Sequence, residues 1–156
     1  MDQEDFMRRA IALSRQGMAE GRGGPFGAVV VSGGRIVGEG ANQVTSTNDP
    51  TAHAEVVAIR AACATLGTFD LSGCEIYASC EPCPMCLAAV YWARIGRIYY
   101  GNGRADAARI GFDDAEIYTE VARSLEERTI PLVPLLPDEA RAAFDDWERK
   151  SDKVRY

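Results

Sequence analysis

What this chain lacks narrows it first. It has a single histidine in 156 residues, so every imidazole role falls on His53. It lacks a basic excess: 17 Lys and Arg against 23 Asp and Glu leave a net charge of −6. A protein that grips a phosphate backbone needs the opposite balance, so long nucleic acid is a poor partner and a small molecule a better one. No apolar run reaches membrane-spanning length, and Met1-Asp2-Gln3-Glu4 is no basic lead into a signal peptide. A cytoplasmic protein that starts near Met1 is expected. The cysteines, at 63, 74, 80, 83 and 86, form an odd set, and three crowd one segment. A disulfide framework would be even-numbered, whereas clustered thiols in an intracellular chain of this size point to metal.

What remains is the composition of one globular domain, with 47% hydrophobic and 26% charged residues and no repeat, linker or low-complexity segment. Asp2 to Glu20 reads as an amphipathic helix with Phe6, Ala10 and Leu13 on its inner stripe. Gly27–Ser32 and Arg35–Ala41 read as a hairpin around Gly33-Gly34, and residues 42–50 as a polar loop. Asp49-Pro50-Thr51 has the form of a helix start, with Val56, Ile59, Cys63 and Leu66 facing inward and Gly67 closing the helix. Glu75–Ser79 and Arg97–Gly101 are strand-like and flank a helix that starts at Pro82 or Pro84 and runs through Ala93. Residues 103–124 read as loop and short helix. Thr129–Leu136 has strand composition, but Pro131 and Pro134 confine it to an edge. Asp138–Lys150 closes the chain as a helix carrying Ala140, Phe144 and Trp147. The expected architecture is a three-layer α/β/α sandwich around a mixed, five-stranded sheet.

The densest chemistry lies in His53-Ala54-Glu55 and Pro82-Cys83-Pro84-Met85-Cys86. Cys83 and Cys86 stand three apart at a helix start, where the dipole favours thiolates. With His53 they form a one-imidazole, two-thiolate set, the open pattern of catalytic zinc. Glu55 is then placed to take a proton from water and pass it on. Residues two apart lie on nearly opposite sides of a helix, so His53 and Glu55 can converge only off the helix end. Two other metal readings compete. Cys80, Cys83 and Cys86 begin like an iron–sulfur run, but the fourth cysteine is missing. Alternatively Cys80 closes a structural Cys3His zinc site, which would leave Glu55 without a role. Cys63 and Cys74 read as small buried hydrophobes.

H-x-E followed by P-C-x-x-C is the signature of zinc-dependent nucleobase deaminases. On these residues the chain resembles the cytidine deaminase superfamily and, within it, the bacterial guanine deaminases. The likeness runs through residues 23–28, 48–55, 79–86, Tyr91-Trp92-Ala93-Arg94, Gly111-Phe112-Asp113-Asp114 and 126–131, and is weaker from Asn102 to Ala108 and in the last helix. It implies a cytidine-deaminase-like fold, one zinc ion per subunit, and hydrolysis of guanine at C2 to xanthine and ammonia, with Glu55 protonating N3 and then the leaving amine. It further implies a pocket of Phe26, Asn42, Ala54, Trp92 and Tyr156, with Asp114 as a second catalytic carboxylate. Phe26 would stack on the purine, or is a core plug. Asn42 offers both a donor and an acceptor, or forms a turn. Trp92 lines the pocket or packs in the core. The resemblance also implies a homodimer that exchanges its C-terminal segment, about residues 131–156; the alternative is a frayed tail. The rival substrates are guanosine, cytosine, ammeline or adenosine in tRNA. The rival class is a zinc-stabilised interaction module.

Overall fold

The computed structural model describes all residues from Met1 to Tyr156, in two compact units, Met1–Asp114 and Ala115–Tyr156. The first begins with α1 (Gln3–Ala19), capped at Asp2 by a reciprocal capping box with Asp5. The strands β1 (Gly27–Ser32) and β2 (Arg35–Ala41) follow, then the short α2 (Val44–Thr47) and α3 (Ala54–Leu66). After these come β3 (Glu75–Cys80), α4 (Pro84–Trp92), β4 (Arg97–Asn102) and α5 (Arg104–Arg109). No helix is long and apolar enough to cross a membrane.

The sheet has four strands in the order β2-β1-β3-β4, with β1 antiparallel to both neighbours and β3 parallel to β4. Alternation along β1 and β3 splits the core between two faces. Val29, Val31 and Tyr77 pack on Phe6 and Leu13 of α1. Ala28, Val30, Ile76 and Ala78 pack on the other face with Ala54, Ala58 and Ala62 of α3 and Val90 of α4. The three-layer α/β/α arrangement is therefore present. The expected fifth strand is not: residues 128–136 run without a ladder partner, since Pro131 and Pro134 remove two of the donors a ladder needs.

Two departures from the sequence reading set up the site. Asp49-Pro50-Thr51 is a turn rather than a helix start, because the Asp49 carboxylate accepts from Thr51 N at 2.8 Å and Thr51 Oγ1 at 2.6 Å. The helix begins at Ala54, with His53 as its N-cap. Its fully buried stripe is Ala54, Ala58 and Ala62, whereas Leu66 is exposed and Val56, Ile59 and Cys63 are half-buried. The cause is the close approach of β2. A Cβ on Gly40 would stand 2.2 Å from Ala54 O, and one on Gly38 would stand 2.3 Å from Ala58 O. Glycine on the strand and alanine on the helix bring the two backbones together and seat the start of α3 against the sheet.

The second unit holds α6 (Ala115–Ala122), a single 3-10 turn at Leu125–Glu127, the unpaired stretch 128–136, and α7 (Pro137–Arg149). Glu120 accepts from Thr129 N at 2.8 Å and Thr129 Oγ1 at 2.9 Å, folding that stretch back on α6. None of its helical residues is buried.

Candidate active site

Two helix N-termini meet at one point. His53 is the N-cap of α3 and Cys83 the N-cap of α4, both in extended conformation, with their carbonyls accepting from Val57 N and Leu87 N. Cys86 lies one turn into α4 and Glu55 at the second position of α3. His53 Nδ1 is 3.5 Å from Cys83 Sγ and 3.5 Å from Cys86 Sγ. The Glu55 carboxyl stands 3.5 Å from Cys86 Sγ. Because His53 is off the helix and Glu55 is in its first turn, the two converge as the two-residue spacing demanded.

The donor set fits zinc. His53, Cys83 and Cys86 each offer one ligand atom, and the three lie within 4.8 Å of one another. One imidazole and two thiols at converging helix N-termini suit a borderline-soft cation and leave a fourth position open. Cys80 is outside this group, so the closed Cys3His site does not form and neither does a three-cysteine cluster. Its thiol is pushed up to about 11 by burial and by the charges of Glu55, Glu81 and Asp114.

The electrostatics of the three donors agree. The hydrogen bond from Cys86 and the His53 imidazole hold the Cys83 thiol down at about 4, whereas its hydrogen bond to Cys83 and its own burial raise the Cys86 thiol. A cation bound between them favours the thiolate form of both. His53 is raised, first by its bond to Cys83 and against its own desolvation. Burial raises Glu55, so this carboxyl keeps its proton to higher pH than an ordinary glutamate.

The other expected residues divide. The Asn42 Oδ1 accepts from Gly24 N at 3.3 Å and Val44 N at 3.1 Å, which sets the amide orientation and commits its acceptor. The Asn42 amide oxygen thus has two backbone donors and its Nδ2 points the other way. Backbone bonds from Asn42 N to Phe26 O and from Gln43 N to Ala52 O tie this segment to the loops of Phe26 and His53. Phe26 packs partly on the core and meets Phe112 edge-on, ring centroids 4.9 Å apart. Asp114 accepts from Arg104 Nε at 3.2 Å. Ala54 is buried beside His53. Trp92, the last residue of α4, is 68% exposed, so core packing does not account for it. Tyr156 ends the second unit at 74% exposure. Arg104 escaped the sequence reading, since a lone arginine in a weakly matching stretch carries no pattern.

Residues 1–102 match the model of the cytidine and deoxycytidylate deaminase zinc-binding region. The chain belongs to that deaminase family. Over 156 residues, 100% of each chain, this deaminase is 50% identical to the guanine deaminase of Bacillus subtilis (strain 168). The X-ray structure of that protein superposes with a TM-score of 0.97, covering 100% of this chain and 99% of that one. A guanine deaminase structure from Nitrosomonas europaea is 33% identical with a TM-score of 0.70, covering 93% of this chain and 84% of that one. The tRNA-specific adenosine deaminase of Agrobacterium fabrum is 49% identical over 77 residues, 49% of this deaminase and 51% of that protein. The short match spans half the chain, whereas the guanine deaminases align with nearly all of it.

Proposed function

We propose that this deaminase hydrolyses free guanine to xanthine and ammonia. The observation that carries the reading is the open donor set of His53, Cys83 and Cys86 with the Glu55 carboxyl beside it, in a chain similar end to end to a guanine deaminase. His53, Cys83 and Cys86 would hold zinc, which would supply Lewis acidity and make the attacking water more acidic. Glu55 takes the water proton as oxygen bonds to C2 and delivers it to N3. It then carries the second proton to the departing amino group, the C2–N bond breaks, and ammonia leaves. A carboxyl raised by burial suits this work, because it holds and releases a proton nearer neutrality than a solvated one.

The substrate contacts belong to the same reading. Phe26 offers a ring face for the purine, and Asn42 Nδ2 donates to acceptor atoms on its edge. Asp114 accepts or relays a proton, while Ala54 and Trp92 line the enclosure.

The second unit supports a homodimer. Ile130, Val133, Leu135 and Phe144 are each exposed by more than three quarters. A groove of about 560 Å3 lies between α6 and the unpaired stretch, lined by Ile117, Val121, Ile130 and Leu132 among others. Arg128 Nε is buried there with no hydrogen-bond partner. Such a surface calls for a second copy, with the segment from about residue 131 exchanged so that Tyr156 closes the partner's pocket. A cytoplasmic setting suits five unpaired thiols.

The test is ammonia release by zinc-loaded protein offered guanine, guanosine, adenine, cytosine, cytidine and ammeline. Guanine should exceed the rest, and Glu55→Gln should keep zinc while losing about 10²- to 10⁴-fold in rate. Release only from another base would retain the zinc chemistry and discard the guanine pocket. Zinc binding with no release from any would favour an interaction module or an RNA-borne base.

A further inference from the structure

The loop between α1 and β1 uses its glycines in two different ways. Gly21 has a φ of 68° and nothing within 4 Å of where a Cβ would stand, so it is a turn residue with open space around it. Gly23 and Gly24 are the reverse. Neither has a positive φ, so the left-handed backbone that favours glycine is not the reason for them. Room is the reason. A Cβ on Gly23 would stand 2.2 Å from Asn42 Oδ1, 2.7 Å from Asn42 O and 2.9 Å from Asn42 C. One on Gly24 would stand 3.1 Å from the rings of both Phe26 and Phe112. The loop thus closes directly on Asn42 and Phe26, the two side chains assigned to the purine.

We propose that Gly23 is a positioning residue for Asn42: its missing side chain lets the loop close and hold the amide with Nδ2 turned toward the base. This rests on the reading of Asn42 as a purine contact in guanine hydrolysis. Gly24 N donates to Asn42 Oδ1 at 3.3 Å, and Val44 N donates to the same oxygen at 3.1 Å. Both donors are backbone N–H groups, so a flipped amide would set its NH2 against two donors. The oxygen is the atom that fits there, and the NH2 group lies on the other side. Gly24 N reaches that oxygen because the residue before it puts no Cβ in the 2.2 Å gap. The backbone of Asn42 is held as firmly. Its N donates to Phe26 O at 3.0 Å, and Gln43 N donates to Ala52 O at 3.0 Å, beside His53. Asn42 is buried, so its direction is set before any base arrives. A preset donor gains its full hydrogen bond with a base acceptor without the cost of ordering the side chain.

The experiment compares wild type, Gly23→Ala, Asn42→Ala, Asn42→Asp and the Gly23→Ala/Asn42→Ala double variant, all zinc-loaded. Hypoxanthine keeps the ring nitrogens and carbonyl of guanine but has no amine to lose, so its Kd reports binding alone. The other readouts are kcat and KM for guanine, zinc content and Tm. Gly23→Ala should weaken hypoxanthine and raise KM by about tenfold, with zinc unchanged and kcat within about threefold. Asn42→Asp should still accept from Gly24 N and Val44 N and keep its zinc. It should lose binding at least as far, because a carboxylate has no N–H to give. Adding Gly23→Ala to Asn42→Ala should weaken hypoxanthine by less than about twofold more, since the glycine acts through the amide. Normal binding in Gly23→Ala alongside weak binding in Asn42→Ala overturns the role of Gly23 alone. So does a full second tenfold loss in the double variant, or a fall in Tm without one in binding. Should Gly23→Ala not fold, Asn42→Asp decides, and wild-type binding there overturns the preset donor. Normal binding in Asn42→Ala overturns Asn42 as a purine contact, and the role of Gly23 with it. Hypoxanthine binding without guanine turnover in wild type would instead sink the proposed reaction.

Discussion

The two units of this chain are built on opposite terms. Every buried residue lies in Met1–Asp114, where strand alternation, α1 and the alanine stripe of α3 make a two-sided core. Ala115–Tyr156 has regular helices, one with Phe144 and Trp147 at helical spacing, yet buries none of its helical residues. Secondary structure is thus no measure of self-sufficiency. A helix gains most of its stability from the face it buries, and the second unit has no sheet of its own to bury against. The first unit has a core on both faces of its sheet to seat the metal-ligating residues, and the second leaves its apolar side chains exposed.

That contrast can be broken at four strengths. Cys86→Ser should have the largest effect, removing a ligand from the buried centre of the first unit. Zinc by atomic absorption and ammonia release should both be lost; retained zinc would mean that the ion is held elsewhere. Gly40→Ala comes next, because its Cβ would meet Ala54 O at 2.2 Å. It should cost about 1–3 kcal/mol, read as a Tm fall that is independent of protein concentration, with activity reduced as His53 and Glu55 shift with α3. An unchanged Tm would show that β2 and α3 are not in the tight register described.

Val133→Asp probes the second unit. It should leave the far-ultraviolet spectrum and zinc content intact while weakening the proposed dimer, so sedimentation and Tm become strongly concentration-dependent. A dimer as tight as wild type would remove the exposed stretch from the interface. The smallest effect belongs to Asp70→Asn. Bonds from Ser72 and the Arg94 guanidinium hold the Asp70 carboxyl at about 2, below its unfolded value near 3.9. The stability it adds is full above the unfolded value and lost as pH falls through about 2. The wild-type advantage in Tm should be modest at pH 7, since the site is exposed, and should shrink between about pH 4 and 2. An advantage that grows on acidification would reverse the assignment.

The ligands and Glu55 were legible because their chemistry is local in sequence: three residues around His53 and five around Cys83. Hairpin residues Gly27–Ala41 and the buried stripe Phe6, Ala10 and Leu13 were legible for the same reason, as a period of two and a period near four. The start of α3 was misread, since Asp-Pro-Thr serves a helix cap and a turn equally well. Which it becomes depends on where the Asp49 carboxylate finds its donors. The expected fifth strand failed because strand composition cannot supply a neighbour.

By itself, then, the sequence determined the metal chemistry, the layered α/β class and the two-sided patterning of the sheet, all set by residue type and short spacing. Only the tertiary structure decided that His53 and Glu55 converge off a helix end, that Cys80 stays out of the ligand set, and that the Asn42 amide oxygen faces two backbone donors. It also decided that Arg104 holds Asp114. The physical reason is the same in each case. Side-chain direction is set by which backbone groups are already satisfied and how closely two elements approach, and neither is written in the spacing of residues along the chain.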